Sequence, residues 1–209
     1  MAKAILRKAE HNLCVICEGD EDFAYFNRLI ELNVWNPIYG FTLINAKGAS
    51  NIPARFQNAY QNDLGELTLV FCDTDKPPHR EYAIIKKKIN AFFGKRKAAD
   101  YLIIFANPCT MQIILSHFGT VSLKNQGKKT NASVIESLTG VKSYDAHQNQ
   151  IENICSKIFQ KTYSDMRKRV ASIDYSDDTS CSTNFIKFLD RFESADAKWI
   201  REIQKYLNS

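Results

Sequence analysis

Two places in the chain set carboxylates directly after apolar runs. Leu67-Thr-Leu-Val-Phe-Cys-Asp-Thr-Asp75 is apolar up to two acids, the pattern of a strand buried on both faces that ends where it leaves its sheet. A buried carboxylate is costly, so acids at such a point belong at the sheet's rim. Asp73 and Asp75, one residue apart on an extended chain, lean to the same side and can share one hard cation. Leu13-Cys-Val-Ile-Cys17 is a second apolar run, and Glu18-Gly19-Asp20 follows it. Strand ends of a parallel sheet lie along one edge, where ligands of open α/β sheets bind, so Glu18 can join the aspartates. Such a set suits Mg²⁺ or Mn²⁺, which prefer carboxylate and water oxygens. A metal held there can orient a phosphodiester and help supply the attacking hydroxide. Any one of these acids also reads as a turn, capping or solvated loop residue beside Pro77 or Gly19. Three of them, each behind a buried strand, favour a shared site.

The elements that must position these acids follow from the hydrophobic pattern. A helix is expected at about 21–32, with Phe23, Phe26 and Ile30 on one face and Asp20, Glu21 and Asp22 in or next to its first turn. Phe41–Asn45 reads as a second strand, and Ala46–Asn51 as a loop in which Gly48 is free to take unusual dihedrals. Pro53 opens a second helix carrying Phe56, Ala59 and Tyr60. After the acidic strand, Lys76-Pro-Pro78 breaks the chain and a basic helix runs through Ile84, Ile85 and Phe92 to Gly94. Tyr101–Ala106 is the fourth strand, closed by Asn107-Pro108. Four strands alternating with three helices predict an α/β fold with a mostly parallel sheet flanked by helices. Beyond Cys109 the pattern turns helical: Met111, Ile114, Leu115 and Phe118 form a stripe, 119–130 is a polar loop, and helices are expected around Ile151–Ile158, Phe185–Phe192 and Trp199–Leu207. The expected division is an α/β core over 1–118 and a helical region over 119–209 packed on it.

Composition sets bounds on this reading. The chain has 209 residues, a formal charge of +5 and a pI near 8.8, which permits a nucleic-acid partner without requiring one. No run is long enough for a membrane-spanning helix and the start lacks a signal-peptide core, so no membrane partner and a cytoplasmic location are expected. The six cysteines then read as reduced, mostly buried thiols. Cys14 and Cys17 have zinc-like spacing, but on a strand they face opposite ways and no second pair follows.

The motifs Val15-Ile-Cys-Glu18-Gly19 and Phe71-Cys-Asp73-Thr-Asp75, with the glycine loop Ile44-Asn-Ala-Lys-Gly48 between them, resemble the Toprim fold, shared by topoisomerases, bacterial primases, small ribonucleases and OLD-type nucleases. The resemblance spans roughly 11–118 and implies a Rossmann-like sheet. It gives Glu18 the role of general acid/base and Asp73 and Asp75 that of metal ligands. Within that fold, Cys17-Glu-Gly-Asp-Glu-Asp-Phe-Ala-Tyr-Phe26 and Asn107-Pro-Cys-Thr-Met-Gln-Ile-Ile-Leu-Ser-His-Phe118 are similar to motifs of the RloB-like, restriction- and defence-associated family. That family has Phe-Glu where this chain has Thr110-Met111, and Trp where it has Ile113. The resemblance implies a Mg²⁺- or Mn²⁺-dependent nuclease in anti-phage defence, with RNA or DNA as substrate and a protein partner encoded in the same defence system. Met111 in place of an acid points to the alternative, a catalytically degenerate nucleic-acid-binding or sensor subunit.

Other residues complete the expected site. His117 reads either as a general acid/base or phosphate contact, assigned here to the catalytic set with Glu18, Asp73 and Asp75, or as a structural histidine of its helix. Asn107 either hydrogen-bonds the acid-bearing loops or caps the Pro108 turn. Lys47, Lys76, Lys124, Lys128 and Lys129 are the expected nucleic-acid contacts, the last three in the polar loop. A second basic cluster, Lys86-Lys-Lys88 with Lys95-Arg-Lys97, reads equally as phosphate contact or solvated helix face. A haloacid-dehalogenase-type phosphatase is the rival use of Asp-x-Asp. It is disfavoured because Pro77 stands where that class has Thr or Val, and because Asp177-Asp178 follows no buried strand.

Overall fold

In the structure, a computed structural model, residues 9–75, 77–179 and 181–209 are described. The apolar runs form the strands β1 (His11–Cys17), β2 (Tyr39–Asn45), β3 (Leu67–Asp73) and β4 (Ile103–Asn107). All four are parallel, in the order β2-β1-β3-β4, and the two-residue antiparallel β5 (Ser182–Thr183) closes the edge beside β4. This is the expected α/β, Toprim-like (Rossmann-type) sheet.

Helices cover both faces, as a fully apolar parallel sheet requires. On one face, Tyr25 and Phe26 of α1 (Asp20–Glu31) pack with Phe41 and Phe71 of the sheet. Phe185 and Phe192 of α9 (Phe185–Glu193) join them, and Trp199 of α10 (Lys198–Asn208) lies against Phe192. On the other face, Phe56 of α2 (Ile52–Gln61) meets Phe92 and Phe93 of α3 (Arg80–Phe93), and Tyr82 meets Phe105 of β4. Burying rings of this size contributes about 1.5–3 kcal/mol each. Between β2 and α2 lies a single 3₁₀ turn, Ala49–Asn51.

The chain departs from the expected elements beyond β3 as well as at β5. Tyr101 and Leu102 belong to a short helix, α4 (Ala98–Leu102), and β4 starts only at Ile103. Leu102 is buried in this helix, and an apolar residue suits a buried helix or a buried strand equally, so its type does not discriminate between them. After α5 (Met111–Leu115), the polar loop ends at Gly127, because Lys128 and Lys129 open α6 (Lys128–Thr139). Between α7 (Gln148–Ser156) and α9 stands α8 (Gln160–Val170), whose charged sequence buries only Tyr163, Met166 and Val170. Directly after β5, a side chain extends its antiparallel pairing with β4. The Asn184 amide donates to the Ile103 carbonyl and accepts from the Phe105 N–H, at 2.7 and 2.9 Å, as a strand backbone would.

Cys14 and Cys17 are buried free thiols. Among the described residues no helix is long and apolar enough to cross a membrane.

Candidate active site

β1 and β3 lie side by side with Cys17 opposite Phe71, so Glu18 and Asp73 leave the sheet together. The Glu18 N–H donates to the Phe71 carbonyl, and the Asp73 N–H donates back to the Glu18 carboxylate Oε2, each at 3.0 Å. The β2 loop closes over the same point. Gly48 N–H reaches the Glu18 carbonyl at 2.8 Å with a φ of +122°, a conformation glycine adopts without strain.

β4 delivers the next contact. Its parallel pairing sets Asp73 opposite Ala106, and the turn beyond Asn107 swings Thr110 over Asp73. Both the Thr110 N–H and its hydroxyl lie against Asp73 Oδ1, at 2.7 and 2.9 Å. The same hydroxyl is hydrogen-bonded to Asp22 Oδ1, and Asp22 Oδ2 accepts the Gly19 N–H at 2.9 Å. A threonine hydroxyl carries one proton. With two carboxylates on it, one of them must supply a proton of its own.

The electrostatics agree. Burial, and after it the Asp22 charge, raises Glu18 to about 8. Burial raises Asp22 to about 7 against the pull of the Thr110 hydroxyl, and burial followed by the charges of Asp22 and Glu18 puts Asp73 well above the ordinary carboxylate range. Asp22 is buried and Glu18 and Asp73 are partly so, and neighbouring carboxyls at this spacing disfavour one another's charged form.

Glu18, Asp22, Asp73 and Asp75 wall a cleft of about 300 Å³. Asp75 enters it from a left-handed backbone, φ +58°. The far wall comes from beyond residue 118: Lys128 and Asn131 of α6, and Tyr144, whose hydroxyl donates to Glu21 Oε1. Burial and the Glu21 charge raise the Tyr144 phenol far above its ordinary range.

The three acids expected from the sequence therefore line one cleft, and Lys128 lines it with them. Lys47 is exposed and ion-paired to Asp20 at 2.5 Å. Lys124 and Lys129 are exposed away from the cleft lining, and Lys76 lies outside the described residues. His117 is not brought to the site. It is 2% exposed, with Nε2 3.0 Å from the Tyr25 hydroxyl and Nδ1 3.3 Å from that of Thr162. Burial and Arg169 hold it down to about 3, so it is neutral at physiological pH. These contacts seat the ring in the interior, where it does not line the cleft with Glu18, Asp73 and Asp75. Asn107 serves neither expected partner: its amide donates to the carbonyls of Asp177 and Thr179.

Asp22, Thr110 and Tyr144 were not expected here. Three consecutive acids at the start of α1 suit the helix dipole, which hides that Asp22 faces inward. For Thr110 and Tyr144 the sequence carries no local signal.

Among the described residues no three His, Cys, Asp or Glu side chains stand as a ready-made metal-binding group. The donor chemistry nevertheless suits a hard cation. Among the described residues, Glu18 Oε1 and Asp73 Oδ2 accept no hydrogen bond, and Asp75 lines the same wall.

No family model matches the chain, and no curated protein matches it. Among solved structures, the C-terminal region of the Burkholderia pseudomallei OLD protein aligns with 77% of this chain and 95% of its own, at 10% identity and a TM-score of 0.46. At that identity and score the likeness assigns neither family nor activity.

Proposed function

We propose that the protein is a Toprim-class nuclease that hydrolyses phosphodiesters of RNA or DNA with Mg²⁺ or Mn²⁺, acting in anti-phage defence with a partner from the same system. The observation that carries this reading is the convergence of Glu18 and Asp73, 55 residues apart, in one cleft with Asp75 at the carboxyl edge of a parallel sheet. The metal and defence components rest on the RloB-like sequence resemblance. Asp73 and Asp75 would hold a hard divalent cation beside Glu18, and it would supply charge neutralisation and substrate orientation. The chain's own residues do the rest. Thr110 fixes the Asp73 carboxylate, and the Asp73 amide fixes that of Glu18. Glu18, its Oε2 fixed by the Asp73 amide, is the group placed to give a proton to the leaving oxygen as hydroxide attacks phosphorus.

One observation favours a second reading, a degenerate module that binds nucleic acid without cutting it. Met111, at the position of an acid in the resembled family, is 3% exposed and lines the cleft. The deciding experiment incubates purified protein with Mg²⁺ or Mn²⁺ and tRNA, other structured RNA, or single- or double-stranded DNA. Cleavage that disappears in Glu18→Gln supports the nuclease. Metal-independent binding with no cleavage of any substrate supports the second reading.

A further inference from the structure

Seven basic residues and one acid stand between Arg80 and Lys97, a formal charge of +6 in α3 and the turn behind it, against +5 for the whole chain. The rest of the protein is thus slightly acidic, and this face carries its positive field. Of the run, Lys86 is engaged, bridging Asp177 at 2.7 Å and Asp100 at 3.4 Å. Among the described residues, no carboxylate pairs with Lys87, Lys88, Arg96 or Lys97, all exposed. Helix neighbours do not relieve them either. One turn either side of Lys87 lie Ala83 and Ala91, and of Lys88 Ile84 and Phe92. Solvated helices ordinarily interleave opposite charges at this spacing, and like charges left together are destabilising.

The face is also shaped. Lys87 and Arg96 border an open hollow of about 620 Å³ that Tyr82, Asp177 and Asp178 also line. It begins at Pro78 and His79. The His79 Nδ1–H donates to the Thr74 carbonyl at 2.8 Å, and Thr74 stands between Asp73 and Asp75. The basic hollow and the acidic cleft are therefore the two ends of one short connection.

We infer that the α3 face, with Lys87 and Arg96 at its centre, is a docking surface for the phosphodiester backbone of a nucleic acid, which it leads across the β3–α3 connection to the acidic cleft. The inference names the grip on substrate for the proposed nuclease, and rests on that reading for what happens at the cleft. Among the residues that line the cleft Lys128 is the one cation, so most of the affinity for a phosphodiester backbone must be supplied elsewhere. Contacts to phosphate are sequence-independent and salt-dependent.

The test is binding of a labelled DNA duplex, the matching single strand and a structured RNA by fluorescence anisotropy. It is done in EDTA, so that cleavage plays no part, between about 50 and 200 mM salt. Lys87→Glu/Arg96→Glu is expected to weaken binding about tenfold or more at the lower salt, and to flatten the logarithmic salt dependence by roughly two. Lys142→Glu/Lys161→Glu, exposed residues of the C-terminal part, makes the same change in net charge and is expected to leave the salt dependence as it was. Equal losses in both variants would reduce the effect to overall charge and overturn the inference. So would failure of every nucleic acid to bind, or preference of the face for polyglutamate, an acidic polypeptide. Glu18→Gln binding as wild type, with no cleavage by either, would remove the nuclease reading and leave the docking surface standing.

Discussion

At one end of the β3–α3 connection, Glu18 holds the Asp73 amide and Thr110 bridges Asp73 to Asp22. At the other end, Lys87, Lys88, Arg96 and Lys97 stand in solvent with no carboxylate partner among the described residues. Both regions crowd like charges, and they relieve the crowding differently. Buried carboxylates keep protons, because desolvation penalises each charge and the neighbours add to it. Exposed ammonium and guanidinium groups stay charged and are screened by ions over about 8–10 Å. The acids should therefore answer to pH and divalent cations, and the bases to ionic strength.

The sharpest way to separate the two regions is Glu18→Gln. A glutamine carbonyl can accept the Asp73 N–H as the carboxylate does, so the fold should hold while the proton donor is lost. Cleavage is expected to fall about 10²–10⁴-fold, with nucleic-acid binding in EDTA unchanged. Gel-based cleavage and anisotropy on one preparation check both halves. Loss of binding together with cleavage would show that acids and bases do not divide the work.

Within the acidic region, Thr110→Val removes the hydroxyl shared by Asp22 and Asp73 and leaves both carboxyls short of a partner, at an expected cost of about 1–3 kcal/mol. Thr110→Ser keeps the hydroxyl and should cost much less. Urea denaturation of the two variants tests the bridge, and equal costs would mean that it is not made.

How much of this was legible in the sequence depends on how local the signal is. Unbroken apolar runs ending in acids gave β1, β3 and the positions of Glu18, Asp73 and Asp75, because a parallel sheet buries both strand faces and aligns the strand ends. Tyr101 and Leu102 are apolar enough for strand or helix, and only the packing of α4 decides between them. Asp22 satisfies the rule for a helix N-terminus and is nonetheless turned inward by Thr110, 88 residues away. His117 shows the reverse. Its side chain type suggests chemistry, while Tyr25 and Thr162 occupy both ring nitrogens. Lys128 looked like part of a flexible loop and instead opens a helix on the cleft wall.

Stability against pH compares the two regions directly. Glu18 and Asp22 rise in the folded protein to about 8 and about 7, from ordinary values of 4.5 and 3.8. Through that interval the folded chain binds more protons than the unfolded one, so stability falls as pH rises and is fully present only below the ordinary values. Without divalent cations the melting temperature should drop between about pH 5 and pH 8, by about 2–4 °C for each 1 kcal/mol lost in a chain of this size. Mg²⁺ or Mn²⁺ should restore more of it at the upper pH, where the carboxylates are available as ligands. Monovalent salt, which screens the α3 face, should not reproduce that restoration. Differential scanning calorimetry across the pH series checks each part, and a melting temperature that climbs toward pH 8 without metal would contradict the buried, protonated state of the acids.

The smallest effect is expected at the seam between the sheet and the helical region beyond residue 118. Tyr144 is buried and its hydroxyl donates to Glu21 Oε1 on the cleft wall. Phenylalanine keeps the ring's packing and removes that single donor. Because Glu21 also borders the cleft and can turn to solvent, Tyr144→Phe should cost only about 0.5–1.5 kcal/mol. A shift of that size in the urea midpoint, with no change in the slope of the transition, would show the far wall unfolding together with the acids it faces. A second, earlier transition in the variant would instead mean that residues 119–209 form a separable lobe, and that the cleft can open without unfolding the sheet.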